Sequence, residues 1–281
     1  MNIITKQVKG LTDADLMRLA PSIFAEHRHL DRTSERYTFV PSTDVLAGLR
    51  GAGWFPVKAA ENRVRKADRK GFQSHMIRFR RDTNLLDVGD IIPELVLRNS
   101  HDGVSAYVFE AGLFRCVCKN QMTVADSLFQ RISVKHVGLT SSDIIEASYR
   151  VLDDLPKVID SAQAMKALTL TRDEQLAFAT QALVVKYGEN DGQGGVTVNA
   201  PIAADKLLTV RREADKAPTL WNTFNAVQEN VIRGGIRPDR PAGAKRRPSK
   251  TRAVTSITED IRLNKALWAL GEEMKRLKVA A

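Results

Sequence analysis

The chain has 281 residues, of which 43% are hydrophobic and 27% charged, a composition typical of a globular protein that can bury a core. No run approaches the roughly 18 apolar residues that a membrane helix needs, and the N-terminus lacks the layout of a signal peptide, so we expect a cytoplasmic protein without a membrane partner. The formal net charge of +10 favours an anionic partner, which we expect to be nucleic acid rather than anionic lipid or an acidic protein.

Residues 1–36 are predicted to form an N-terminal helix and a polar connector. Thr12 is a typical helix cap, and the apolar residues that follow it recur at helical spacing, which predicts a helix over 11–25. After the connector, residues 37–39 resemble a short strand that ends in a turn, and a second helix is predicted over 43–52.

The segment 37–138 is predicted to be a β-rich core, because the apolar pattern changes to a period of two from Trp54 onwards. The predicted strands cover 54–66, 72–81, a stretch centred on 95–97, 104–124 (as one strand or two) and 129–138. The short links between them favour antiparallel pairing. We therefore predict an α+β fold, with an antiparallel sheet of about five or six strands packed against helices.

Residues 139–235 are predicted to be a helical region of the same domain. The predicted helices cover 141–168, with a kink or break at Pro156, then 171–189, 202–215 and 220–235. Thr171 and Glu174 form a capping-box pattern at the start of the second of these helices.

Two further segments complete the predicted organisation. Residues 236–256 are rich in proline, lysine and arginine and poor in apolar residues, which predicts a mobile basic linker. Residues 257–281 carry an apolar stripe at helical spacing, which predicts a C-terminal helix.

The histidines and cysteines of the β-rich core invite a metal site. His75 and His101 are the best candidates if neighbouring strands bring them together, but no histidine pair has the spacing of a zinc signature. The alternative is that they are polar residues of a solvated sheet face. Cys116 and Cys118 would share one face of a strand, and we interpret them as buried free thiols. We predict no metal and no cofactor.

The cluster Asn99-Ser100-His101-Asp102 contains the residue types of a serine-hydrolase triad. Consecutive residues on an extended chain alternate between faces, so these side chains cannot converge as nucleophile, base and orienting acid. We interpret the cluster as the polar end of a hairpin that turns at Asp102-Gly103, and we assign no catalytic residue.

Basic residues crowd the first predicted hairpin and the linker near the C-terminus. An arginine-bearing ribbon could follow a phosphate backbone, and aromatic residues beside it could stack on bases. The predicted nucleic-acid-binding residues are Arg63, Arg65, Lys66, Arg69, Lys70, Arg78, Arg80, Arg81, Trp54, Lys245, Arg246 and Arg247. The alternative is a solvated hairpin whose aromatic residues lie in the core.

Several segments together resemble the phage- and plasmid-like protein family catalogued as domain of unknown function 932. The segments are "YTFVPSTDVLAGLRGAGWFPV", "HMIRFRR", "IPELVLRNSHDGVSAYVFEAGLFRCVCKN", "VKHVG" and "LWNTFNAVQENVIRGG". Lys119 and Gln121 depart from the "CSNGL"-like motif that is typical of the family. The resemblance implies a mobile genetic element and brings no catalytic residue with it.

The order of the elements is also similar to that of single-strand annealing proteins of the Red-beta and RecT class. That similarity implies an oligomer that holds single strands in a basic groove, although a fold alone does not fix a function. We therefore predict a plasmid or phage protein that binds and anneals single-stranded DNA as a homo-oligomer. The alternatives are a metal-dependent nuclease that uses His75, His101 and Asp102, and a protein that binds and modulates a host protein.

Overall fold

The computed structural model describes residues 10–81, 91–115, 120–123, 132–138, 140–192, 195–239 and 248–280. The chain divides into two compact units, Met1–Val158 and Ile159–Ala281. The predicted cysteine pair, Cys116 and Cys118, and the predicted basic residues Lys245, Arg246 and Arg247 lie outside the described residues.

The first unit is built on an antiparallel sheet, which confirms the predicted α+β class. Its strands are β1 (Trp54–Glu61), β2 (His75–Arg81), β3 (Ile91–Asn99), β4 (Tyr107–Arg115), β5 (Asn120–Thr123) and β6 (Ile132–Val134). Strands β1 to β5 pair in chain order, and β6 also pairs with β4. The same edge of β4 therefore accepts β5 at residues 112–115 and β6 at residues 107–109.

Two short helices of the first unit precede the sheet. Helix α1 (Asp13–Leu19) begins with a capping box between Thr12 and Asp15, as the cap position predicted. A 3-10 helix over Pro21–Phe24 replaces the last turn of the predicted helix, since proline cannot donate a helical hydrogen bond. Helix α2 (Ser42–Gly51) follows, and the predicted strand over 37–39 is not formed.

The core of the first unit lies along the sheet and under the two helices. Its largest fully buried apolar side chains are Leu16, Ile23, Leu46, Trp54, Phe79, Tyr107 and Phe109. Strands β2, β3 and β4 are buried on both faces over most of their length, and charged residues such as Arg78 and Glu94 are buried together with the apolar ones.

The second unit is helical. Helix α3 (Ser141–Ala167) contains the boundary between the units and continues through Pro156, so the predicted break there is absent. Helix α4 (Arg172–Tyr187) has the predicted capping box, in which Thr171 caps and Glu174 bonds back. A short hairpin of β7 (Gly188–Asn190) and β8 (Val196–Val198) follows.

The rest of the second unit corrects one prediction and confirms two. Residues 202–215 contain only 3-10 turns over Ala204–Leu208 and Glu213–Asp215, not the predicted helix. Helices α5 (Leu220–Arg233) and α6 (Ile257–Ala280) are present as predicted. Among the described residues, no helix is long and apolar enough to cross a membrane.

Candidate nucleic-acid interface

The segment 62–74 joins β1 to β2, and we call it the basic loop. It starts where the main-chain N–H of Asn62 donates to the carbonyl of Ser74 (2.8 Å), which closes the hairpin. A 3-10 turn over Ala67–Arg69 and Gly71, whose φ is +94°, fold the loop back towards β2. The predicted strand over 54–66 is therefore too long, because the pairing ends at Glu61.

The basic loop carries most of its charge outward. Four of its cations are exposed and have no ion-pair or hydrogen-bond partner for their side chains among the described residues: Arg63, Arg65, Lys66 and Lys70. The acid of the loop, Asp68, lies 4.0 Å from the ring of His29 rather than beside one of these cations. The loop therefore presents unpaired positive charge to solvent.

One cation of the basic loop points inward and anchors it. Arg69 donates through Nη2 (2.6 Å) and Nε (3.0 Å) to Oδ2 of Asp102, whose carboxylate is fully buried. The other carboxylate oxygen of Asp102 accepts from the main-chain N–H of Val104 (3.2 Å). Charge-assisted hydrogen bonds of this kind are stronger than neutral ones, so the loop is held in a defined place.

Main-chain hydrogen bonds tie the basic loop to two neighbouring segments. The N–H of His101 donates to the carbonyl of Phe72 (3.0 Å), and the N–H of His29 donates to the carbonyl of His101 (2.9 Å). The half-buried ring of Phe72 lies 5.2 Å from the rings of both His27 and His29. An aromatic group thus sits at the base of the loop.

The other predicted residues of the first hairpin are not part of this surface. Trp54 is only 1% exposed, so its indole packs in the core and cannot stack on a base. Arg78 is fully buried between the strands, and its Nη1 donates to Glu94 (3.1 Å) and to the carbonyl of Met122 (3.1 Å). Trp54 and Arg78 are therefore buried and do not belong to an exposed binding surface.

Arg80 and Arg81 lie on β2, away from the basic loop. Arg80 donates to the same carboxylate, Glu94 (Nε to Oε1, 2.9 Å), and its guanidinium lies 3.6 Å from the ring centre of Phe114. Its side chain is 14% exposed, so it serves the buried ion cluster rather than the surface. Arg81 is exposed, but it pairs with Trp54 at the opposite end of the hairpin.

The two histidines predicted as metal candidates do come together, in a buried polar network. The hydroxyl of Ser42, the first residue of α2, lies 3.0 Å from Nε2 of His75, 3.1 Å from Nε2 of His101 and 3.1 Å from the hydroxyl of Tyr107. The amide of Asn99 donates to the same hydroxyl (3.2 Å). All five residues are buried, so the prediction of a solvated histidine face is wrong.

Hydrogen bonding extends the network to the surface. The Oδ1 of Asn99 accepts from Nε2 of His136 (2.9 Å), because the Nδ2 of the same amide is used as a donor. The ring of His136 stacks on Tyr37, with ring centres 4.3 Å apart. The hydroxyl of Tyr37 donates to the carbonyl of Ser100 (3.2 Å).

Burial keeps this network uncharged. Desolvation lowers the pKa of His75 to about 4 and holds the pKa of His101 and of His136 below the usual range of histidine. Desolvation also raises the pKa of Tyr107 and of Tyr37 above that of a free phenol. The network therefore works as a neutral hydrogen-bonded brace that joins α2 to β2, β3 and β4.

The metal and triad interpretations find no geometric support in the described part of the chain. No group of three or more histidine, cysteine or acidic side chains is placed to hold a metal ion there. The carboxylate of Asp102 accepts hydrogen bonds from Arg69 and from the main-chain N–H of Val104, which agrees with its predicted place in a hairpin turn. Sequence reasoning missed Ser42, Tyr107 and His136 as members of one network, since nothing in the local pattern links residues so far apart.

Comparison with known proteins identifies a family for this chain. Residues 29–268 match the family described as a domain of unknown function, DUF932. UPF0380 protein YafZ of Escherichia coli (strain K12) is 37% identical over 273 residues, and UPF0380 protein YfjQ of the same organism is 36% identical over 273 residues. Each alignment covers 97% of this chain and 94% of the relative.

No solved structure matches the chain. The family match spans most of the sequence, including the whole sheet of the first unit and helix α5 of the second. The chain belongs to the DUF932 family.

Proposed function

We propose that this protein binds single-stranded DNA through the basic loop and acts in the cytoplasm. The observation that carries the proposal is the set of four exposed cations, Arg63, Arg65, Lys66 and Lys70, whose side chains have no partner among the described residues. Unpaired cations on one short loop can each displace a counterion from a phosphate, which is the main source of affinity in nucleic-acid binding.

The hydrogen bonds that hold the basic loop in place also support the proposal. Arg69 fixes the loop to Asp102, and main-chain hydrogen bonds fix Phe72, so a bound strand meets charges at defined positions. A preorganised surface loses less conformational entropy on binding than a free chain does. Phe72 and the exposed His27 offer rings beside those charges, which suits unstacked bases better than duplex DNA.

Annealing of complementary strands by a homo-oligomer is the activity that we propose for this binding, in the setting of a plasmid or phage. Strands held by their phosphates keep their base edges free to pair with a second strand. Such an activity needs no metal and no cofactor, so a chelator should leave it unchanged.

The binding test uses fluorescence anisotropy of a labelled 30-nucleotide single strand over a series of salt concentrations. The full-length protein should bind at low salt, and the slope of log K against log salt should fall by about 2 in R63A/R65A/K66A, at about 0.7 for each lost phosphate contact. The matched control, R18A/R150A/R276A, removes three exposed arginines elsewhere and should keep the wild-type slope.

Two results would contradict the proposal. The first is an absence of binding to single strands at low salt. The second is an equal loss of slope in the two triple variants, which would mean that only the total charge of the protein matters. A nuclease is not proposed, since the described geometry offers no metal site, and strand cleavage that depends on magnesium would reverse that judgement.

A further inference from the structure

A small cleft opens in the first unit at the turn that anchors the basic loop. It has a volume of about 190 Å³ and lies between Tyr37, the turn at 103–106 and the segment 135–137. Pockets for drug-sized ligands measure roughly 300–1,000 Å³, so this cleft suits a single ring system and not a whole nucleotide.

The walls of the cleft are aromatic and apolar. Tyr37 and His136 line it, and their rings are stacked at an interplanar angle of 15°. Each ring is held at its polar end, Tyr37 by the carbonyl of Ser100 and His136 by Asn99. Val137 at the rim is 65% exposed and adds apolar surface beside the two rings.

The charge around the cleft favours an anionic ligand. The exposed Lys135 lies at its rim, and none of the described residues that line it carries a carboxylate. The buried carboxylate of Asp102, whose charge acts on Tyr37, is paired with Arg69. His136 is neutral, since burial lowers its pKa, so the interior of the cleft offers an uncharged wall. A flat, uncharged ring that is attached to a phosphate matches this combination.

One turn connects the cleft to the basic loop. Asp102 binds Arg69 of the loop, while the next residue, Gly103, lines the cleft. Gly103 has a φ of +76°, and a Cβ added there would lie 3.2 Å from the carbonyl oxygen of Arg32, so the turn is tightly fitted. The anchor of the basic loop and one wall of the cleft are therefore consecutive residues of the same turn.

We propose that this cleft receives one unstacked base of the single strand whose phosphates lie on the basic loop. The inference rests on the proposed function and adds to it a site for the base. The base contacts Tyr37 and Val137, and Lys135 pairs with the phosphate of the same nucleotide. Contacts between bases and aromatic side chains contribute about 1–3 kcal/mol each, and they carry no counterion release.

The experiment separates base contacts from phosphate contacts. Affinity is measured for oligothymidylate and for an abasic strand of equal length, with the full-length protein and its variants. Tyr37→Leu should bind oligothymidylate about 5- to 150-fold more weakly with an unchanged salt slope, which follows from losing one stacking contact. Tyr37→Phe keeps the ring and should bind as the wild type does, and on the abasic strand all three proteins should be equal.

Tyr149→Leu is the matched control, because Tyr149 is an exposed tyrosine outside the cleft, and its affinity should not change. A second measurement needs no variant: a strand that carries 5-iodouracil is irradiated with the wild-type protein, and the adduct should map to Tyr37 or His136. Adducts found only elsewhere, or a Tyr37→Leu protein that is folded and binds normally, would overturn the base site while leaving strand binding by the loop intact. Failure of every strand to bind would overturn both proposals.

Discussion

Two groups of cations on the same hairpin differ in burial and in pairing. Arg78 and Arg80 on β2 share the carboxylate of Glu94 and are buried or nearly so. Arg63, Arg65 and Lys66 in the basic loop are exposed, and their side chains have no partner within the described ranges. The two groups are within 17 residues of each other, from Arg63 to Arg80, and sequence alone does not tell them apart. A cluster of basic residues therefore indicates a binding surface only after the cations that pair with buried carboxylates have been left out.

The energetic roles of the two groups should differ as sharply as their surroundings. A buried guanidinium costs several kcal/mol of desolvation and survives only with a partner, so the inner group serves stability. An exposed cation costs almost nothing to the folded state and remains available to a ligand. Changes at the inner group should therefore alter unfolding, and changes in the basic loop should alter binding.

The largest expected effect comes from Glu94→Gln. The change leaves the fully buried Arg78 without its carboxylate, and breaking a buried pair in this way costs about 3–5 kcal/mol. Urea denaturation should show a fall in unfolding free energy of that size. The comparison variant Arg63→Ala should lie within about 0.5 kcal/mol of wild type, and equal stabilities for the two variants would contradict the contrast between the groups.

Acid should weaken the fold through the buried histidines. The pKa of His75 is lowered to about 4 by burial, so between that value and its unfolded pKa of 6.5 the unfolded state binds more protons than the folded state. The stabilisation is fully present above pH 6.5 and is lost as the pH falls towards 4, by about 3 kcal/mol for His75 alone. His101 and His136 act in the same direction.

Urea denaturation at pH 7.5, 6 and 4.5 checks this dependence. The unfolding free energy should drop at each step, and the exposed-residue variant His27→Asn should follow the wild-type curve. A flat profile over this interval would mean that the histidines are not held neutral by burial.

A smaller effect is expected where the loop meets the core. Asp102→Asn removes the charge that holds Arg69, and the loss of a charge-assisted hydrogen bond costs about 1–3 kcal/mol. The matched change Asp68→Asn, at a carboxylate that is 57% exposed, should cost less than about 0.5 kcal/mol. Thermal or urea unfolding of both variants tests the prediction, and equal losses would argue against an anchoring role for Asp102.

The smallest effect should come from a single cation of the loop. Lys66→Ala should leave the unfolding free energy unchanged and reduce the salt slope of single-strand binding by about 0.7. Lys216→Ala, at an exposed lysine of the second unit, should change neither quantity. A slope that stays at the wild-type value in Lys66→Ala would place the bound phosphates away from this part of the loop.

Much of the fold could be predicted because its signals are local. The capping boxes at Thr12 and Thr171 mark helix starts within four residues, and the period of two marks the strands. The helix predicted over 202–215 was wrong, because its apolar spacing could not show that tertiary contacts hold that stretch in 3-10 turns. Local sequence patterns thus predicted most helices and strands, but not the places where tertiary contacts change the local structure.

The site was harder to predict, since its parts are distant in sequence. The pairing of Glu94 with Arg78 and Arg80 depends on the register between β2 and β3. Because the sequence does not give this register, it could not predict that these arginines are buried. Ser42 meets His75 and His101 through a helix and two strands, which no spacing rule describes. The loop cations were predictable as a basic cluster, because exposure is the default for charged residues in a connection.

The shared edge of β4 has a consequence for how the chain assembles. Both β5 and β6 depend on β4, and an added Cβ at Gly112 of that strand would lie 2.9 Å from Cγ2 of Val96 and 3.0 Å from Nη1 of Arg78. A nascent chain that has emerged only as far as Arg115 would expose that edge as a row of unpaired amides and carbonyls, a known template for aggregation. A chain that ends at Arg115 should therefore be more prone to aggregation than the full-length protein.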